Sequence, residues 1–265
     1  KYRNKIREFV QENILPLEND QSNFDEHEMI SEESLKILRQ KAKQEGLWAL
    51  QMPTELGGGG LNNVGMAACY EEMARSPFGP VVFNSAAPDD GNMMVLEKIL
   101  ADHLKSEWLQ PIIDGKVRSS IAMTEPMPGA GSDPSAMLTT ATKHGDSWKI
   151  FGKKHYITGA QGAGIFILIA KTSEDKRKGL TAFLFKSDQP GWKIDRRIPI
   201  MGPEEHGGHC EIQFSGLEIP DANRLMGVGE GMKSVQIRLG TARLTHCMRW
   251  LGMAKRAIEE CLEYV

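Results

Sequence analysis

Apolar residues at helical spacing open the chain. Ile6, Phe9, Val10 and Ile14 fall on one face before Pro16 stops the run. Ser31 is a fitting N-cap for a second helix, with Glu32 and Glu33 in the first turn, where the helix dipole favours acidic side chains. Leu35, Leu38 and Ala42 form its apolar stripe, and Gly46 stands where a left-handed C′ residue is wanted. Gly57 to Gly60 break the pattern. A third helix is predicted over about 64–74 and further helix over about 93–113, in two pieces.

Near Gly115 the periodicity changes. From about 119 to about 220 the chain reads as short strands. Trp148 to Ile150 follows a His-Gly-Asp turn, and the runs Ile165 to Ala170 and Leu180 to Phe185 are bounded by turn residues. Such runs suit a compact β-barrel or sandwich better than α/β alternation. After Gly227-Val-Gly-Glu-Gly231 the pattern turns helical again and stays so to Val265, with Gly240 and Gly252 inside and no Gly or Pro stop signal. A helix carrying Leu239, Leu244, Trp250 and Leu251 needs partners to cover it. The fold class expected is therefore α+β and multidomain. It has an all-helical N-terminal domain over 1–117, a middle β domain over 118–226, and over 227–265 the first helix of a C-terminal helical domain, the rest of which is expected beyond this chain.

Composition narrows this without redirecting it. Of 265 residues, 40% are hydrophobic and 25% charged, and the formal net charge is −3. No basic stripe with interleaved aromatics favours a nucleic acid. Cys69, Cys210, Cys247 and Cys261 are scattered, with no C-x-x-C pair, and read as reduced thiols. The longest apolar run is far too short to span a bilayer, and no signal peptide is visible. A reducing compartment is expected: the cytoplasm, or the mitochondrial matrix in a eukaryote.

Two segments carry the candidate chemistry. Ala122-Met-Thr-Glu-Pro-Met-Pro-Gly-Ala-Gly-Ser-Asp133 and Lys154-His-Tyr-Ile-Thr-Gly159 each run from a strand into a turn, offering backbone N–H groups, a Thr hydroxyl and an apolar or aromatic face. A flat ring cofactor with a phosphate tail wants that combination. Read in order, Met123-Thr-Glu-Pro126 with Gly129-Ala-Gly-Ser-Asp133 resembles the T-E-P-x-A-G-S-D signature of the acyl-CoA dehydrogenase family. Lys154-His-Tyr-Ile-Thr-Gly159 is similar to its K-x-W-I-T-N. Pro53-Thr-Glu-Leu-Gly57 resembles its N-terminal P-x-x-x-G-G-x-G turn, and Thr241-Ala-Arg243 the Arg-bearing start of its last-domain helix. Two departures stand out: Met127-Pro128 is a two-residue insertion, and Tyr156 and Gly159 replace Trp and Asn. Ala87-Pro-Asp-Asp-Gly-Asn92 and His206-Gly-Gly-His-Cys210 resemble the branch whose eukaryotic members carry extra N-terminal domains.

The resemblance implies FAD and an acyl-CoA substrate oxidised to the trans-2-enoyl-CoA. It also implies electron transfer to an electron-transfer flavoprotein, and a homodimer or homotetramer. It places Ile121, Met123 and Thr124 along the isoalloxazine, Tyr156 against the ring with Ile157 beside it, and Thr158 near N5. Ser132 would meet the FAD pyrophosphate or the substrate's pantetheine arm, in a loop whose amides can cradle phosphate. Arg243 would pair with a substrate group or a carboxylate outside the chain; a surface salt bridge is the plainer alternative. Glu125 and Asp133 read as loop-fixing carboxylates rather than bases.

Other motifs stay bland. Gly227-Val-Gly-Glu-Gly231 lacks the βαβ setting of a dinucleotide fingerprint and reads as a turn feeding a helix. His206, His209 and Cys210 could chelate but lack a fourth ligand, so no metal is expected; a loop near the acyl or CoA channel, or a structural turn, is the reading. The reaction needs a carboxylate base. Between Glu230 and Glu259 there is no Asp or Glu, so the base is expected beyond Val265. Other flavin chemistry on the same scaffold (an oxidase or monooxygenase) and a non-catalytic binding or assembly module remain alternatives.

Overall fold

The computed structural model describes all residues, Lys1–Val265. They form two compact units, one of Lys1–Met94 with Leu239–Val265 and one of Val95–Arg238.

In the helical unit, α1 (Tyr2–Phe9) runs on through a wide π turn at Val10–Ile14 into a tight turn at Leu15–Asn19 that holds Pro16. α2 (Glu32–Gln44) begins at Ser31, whose hydroxyl accepts from the Ser34 amide at 3.2 Å, and stops before Gly46, which has φ 68°. α3 (Asn63–Met73) is capped by Asn62, and α4 (Gly79–Val82) is a single turn. Ile6, Phe9, Leu35 and Leu38, whose helical spacing predicts a buried face, join Met66, Tyr70, Met73 and Phe83 in one buried cluster.

The predicted helix over 93–113 comes in three pieces rather than two: α5 (Asp89–Ile99), α6 (Asp102–Trp108) and α7 (Gln110–Ile113). Pro111 sits in the first turn of α7. It lacks an N–H and its ring crowds the carbonyl four residues back, which ends α6.

The β unit is a single eight-stranded sheet: β1 (Arg118–Ala122), β2 (Thr140–His144), β3 (Ser147–Thr158), β4 (Ala163–Lys171), β5 (Leu180–Lys186), β6 (Trp192–Ile198), β7 (His209–Pro220) and β8 (Arg224–Leu225). The order is β6-β7-β3-β2-β4-β5-β8, with β1 parallel to β4. Trp148, Ile150, Phe166, Leu168, Phe183, Phe185, Phe214 and Leu217 fill its core. β4 and β5 are buried along nearly their whole length, which explains their unbroken apolar runs.

α8 (Gly231–Tyr264) is the long helix the pattern predicts, at 34 residues. Gly227 and Glu230 form the turn that feeds it, the Gly227 amide donating to the Glu230 carboxylate at 2.8 Å. Leu244, Trp250, Leu251, Ile258 and Leu262 are exposed along it. No helix is long and apolar enough to cross a membrane.

Candidate functional site

β3 builds the centre of the site. Along it Trp148, Ile150 and Lys154 are buried while Phe151, Lys153 and Tyr156 are exposed. This alternation puts a lysine at an inward position, fully buried. A buried ammonium needs a partner. Lys154 Nζ donates to Glu125 Oε1 at 3.0 Å and to the Met123 carbonyl at 2.9 Å.

Glu125 is itself only 3% exposed, and it does more than neutralise Lys154. It accepts from the amides of Ala130 (3.1 Å), Leu138 (2.7 Å) and Thr139 (2.8 Å). One carboxylate thus closes both ends of the loop between β1 and β2. Burial alone would raise its pKa, but Lys154 and the Leu138 and Thr139 donors outweigh it and hold the carboxyl at about 2. Burial pushes Lys154 the other way, down to about 8, against the pull of Glu125. Gly129 fits beside the carboxylate only because it lacks a Cβ, which would lie 2.5 Å from Glu125 Oε2. Asp133 accepts from the Ser135 amide at 2.9 Å. Both carboxylates are therefore loop-fixing groups. The Met127–Pro128 peptide within the loop is cis.

Three hydrogen bonds join the end of β1 to the end of β3. The His155 amide donates to the Thr124 carbonyl at 2.9 Å, the Ser120 hydroxyl to the Thr158 carbonyl at 2.7 Å, and Lys154 to Met123. Ile121, Met123, Thr124, Tyr156, Ile157 and Thr158 are thereby brought to one rim.

They are not alike there. A bulge between Lys154 and Ile157 interrupts the β3–β7 pairing. Within it Tyr156 takes φ 54°, a region bulky residues avoid, so the surrounding pairing must hold it against strain. The residue stays 54% exposed, its ring edge-on to His155 at 4.2 Å between centroids. Ile157 packs into the β core at 1% exposure, leaving only its backbone for the rim. Ser132 is exposed on the loop. Arg243 is exposed on α8, in the helical unit.

Thr158 meets His209, which the sequence places in a loop near the acyl or CoA channel or in a structural turn. Its hydroxyl lies 3.0 Å from His209 Nδ1, and His209 Nε2 lies 2.8 Å from Glu205. The neighbouring backbone is tied in too: the Gly159 amide donates to the Gly208 carbonyl at 2.6 Å, and Gln161 to Gly207 at 3.1 Å. Cys210 is buried with its thiol toward the Gly207 carbonyl, and no cluster of three His, Cys, Asp or Glu able to hold a metal forms. All four cysteines are free thiols.

The helical unit has its own partly buried basic residue. Arg249 pairs with Asp90 and the Ser85 carbonyl and lies over the Tyr70 ring at 5.0 Å from its centroid. Burial, helped by Asp90, pushes the Tyr70 hydroxyl pKa well up.

A strand rim with an exposed aromatic face, a hydroxyl beside it and a glycine loop whose one buried carboxylate is neutralised suits a flat, polyanionic cofactor such as a flavin nucleotide. Known proteins give the same class. Residues 1–116 match the N-terminal domain of acyl-CoA dehydrogenases and residues 120–217 the middle domain. "Acyl-CoA dehydrogenase family member 11" of Gallus gallus is 34% identical over 268 residues, covering 96% of this chain and 34% of that protein. "Probable acyl-CoA dehydrogenase FadE2" of Mycobacterium tuberculosis is 34% identical over 266 residues, covering 97% of this chain and 64% of its own length. A solved structure named "a putative acyl-CoA dehydrogenase from Mycobacterium abscessus" superposes with a TM-score of 0.90 at 34% identity, over 97% of this chain and 67% of that one. The chain belongs to the acyl-CoA dehydrogenase family. It spans about a third of the length of the avian relative and under two thirds of the mycobacterial one.

Proposed function

We propose that this chain carries the flavin-holding half of an enzyme that takes an acyl-CoA thioester to its trans-2-enoyl-CoA and passes the electrons to an electron-transfer flavoprotein. The observation that carries the reading is the rim: two separate segments held edge to edge, with a strained tyrosine left facing outward. FAD, when bound, would supply the acceptor for the hydride leaving the substrate's β carbon.

The chain's own residues then have these tasks. Tyr156 offers its ring face and Thr158 its hydroxyl. Ile121, Met123 and Thr124 lie along the isoalloxazine, and Ile157 contributes backbone only. Ser132, on the loop clamped by Glu125, meets the pyrophosphate or the pantetheine arm. Arg243 binds a substrate group. Glu125 is unsuited to proton abstraction, since it is occupied by an ammonium and three amides and titrates near 2. The stretch of α8 between Glu230 and Glu259 offers no carboxylate in its place. Division into 1–117, 118–226 and 227–265, assembly as a homodimer or homotetramer, and residence in the cytoplasm or mitochondrial matrix belong to the same proposal.

Titration of the purified chain with FAD tests it. Yellow protein is expected, with binding at least ~10-fold weaker in Tyr156→Ala, about 1.4 kcal/mol. Protein that stays colourless sinks the reading. Anaerobic bleaching by acyl-CoA, followed by slow reaction with O₂, is expected of the dehydrogenase; fast reaction with O₂ would move the assignment to an oxidase or monooxygenase.

A further inference from the structure

Thr158 closes β3 and His209 opens β7, and the two are direct partners in the antiparallel register. Thr158 Oγ1 lies 3.0 Å from His209 Nδ1, and Glu205 Oε2 lies 2.8 Å from Nε2. The carboxylate beside Nε2 favours a proton on that nitrogen by its charge, although the contact is not aligned as a hydrogen bond, so Nδ1 is the nitrogen whose protonation changes. A hydroxyl has one proton to give. Opposite a bare Nδ1, Thr158 points that proton at His209 and leaves lone pairs on its other side. Opposite an Nδ1–H, Oγ1 accepts, and the Thr158 proton is turned away from the imidazole.

We propose that His209, held by Glu205, is a positioning residue that sets whether the Thr158 hydroxyl presents a proton or a lone pair to the flavin edge. This rests on the flavin reading above. The groups facing the imidazole are few. Glu205 and Glu204 approach from the preceding loop and Arg197 from β6, where Arg197 is itself paired with Glu204; Thr158 faces it from β3, and Arg118 of β1 acts on Glu205. The Glu205 carboxylate, 2.8 Å from Nε2, raises the His209 pKa against the effect of burial. The donor state of Nδ1, with the Thr158 proton turned outward, is thus stabilised toward neutral pH and lost as pH rises.

The test is the flavin absorption and circular dichroism of the FAD-loaded full chain across pH, in the wild type and in Glu205→Gln, Thr158→Val, His209→Asn and His209→Phe. Asn places an amide N–H near the position of Nδ1 and donates at every pH; Phe keeps the ring without a hydrogen bond. The wild-type spectrum is expected to titrate with a midpoint above the ~6.5 of an ordinary histidine. Glu205→Gln should lower that midpoint. Thr158→Val and both His209 variants should abolish the titration, with His209→Asn retaining the wild-type low-pH spectrum. A second readout needs no flavin: the ¹⁵N shifts of the His209 ring in the unloaded chain should show the same midpoint and the same drop in Glu205→Gln. A spectrum that titrates unchanged in Thr158→Val or His209→Asn overturns the relay and leaves the flavin reading standing. A chain that binds no FAD overturns both.

Discussion

Glu125 in the β unit and Glu72 in the helical unit are almost equally buried, with side chains 2% and 3% exposed, yet their partners differ. Lys154 is as dry as the carboxylate it meets. Glu72 accepts from Arg3 Nε at 2.9 Å and Arg7 Nη2 at 2.6 Å, and both arginine side chains stay over 40% exposed. Around them Glu71, Arg75, Lys255 and Glu259 continue the network along a cleft of about 680 Å³. In the first case removal of one member strands a charge in a medium that cannot solvate it. In the second, water replaces what is lost. The β unit therefore uses a charge pair to fix a loop, and the helical unit uses a redundant charge network to line a wet surface.

The largest break in this comparison should come from Glu125→Ala. It leaves Lys154 unpaired and three amides without an acceptor, and urea unfolding should show a loss of ~3–5 kcal/mol. The double variant Glu125→Gln with Lys154→Met should recover part of it; strict additivity of the single losses would show that the pair is not coupled.

Acid should act next. The Glu125 carboxyl titrates lower in the folded chain, at about 2, than its ordinary value of 4.5. Its contribution is thus fully present above about pH 4.5 and lost as pH falls toward 2. Limited proteolysis of the β1–β2 loop should accelerate in that window, and Glu125→Gln should already be open at pH 7.

Gly252→Ala comes third. A Cβ there would lie 2.2 Å from the Glu71 carbonyl oxygen of α3, and the enforced shift should cost ~1–3 kcal/mol in a thermal melt. Arg7→Ala should cost no more than ~1 kcal/mol, because Arg3 still serves Glu72, and the loss should shrink in high salt. The smallest effect has the opposite sign. Gly240 sits on the same helix as Gly252 with nothing within 4 Å of a Cβ, so Gly240→Ala should stabilise by ~0.5–1 kcal/mol.

The elements were legible wherever local chemistry decides them. Ser31, Gly46 and Pro16 stop and start helices by their own hydrogen bonds and dihedrals, and the long run to Val265 needed only its periodicity. The rim was legible as two segments, because each carries its turn residues within a dozen positions. What joins them was not. The inward position of Lys154 depends on the full length of β3, and its partner, Glu125, lies 29 residues away. His209 looked like a metal ligand or a turn residue because Thr158 is 51 positions distant and approaches only through the β3–β7 register. The bulge at Tyr156 likewise depends on that partner strand, so the full length of β3 did not show in the apolar run at its start.

The clamp on Glu125 also separates what can vary from what cannot. It catches the loop at Ala130 and again at Leu138 and Thr139, so residues 126–129 form a small bulb outside the closure. The two additional residues, Met127 and Pro128, fall in that bulb, with Met127 84% exposed. The bulb is itself closed by the Gly129 amide, which donates to the Pro126 carbonyl at 2.8 Å, and Gly129 has no room for a Cβ beside the carboxylate. A reporter group attached at Met127 would ride on the surface of a folded chain, since that side chain leaves the turn without taking part in its closure.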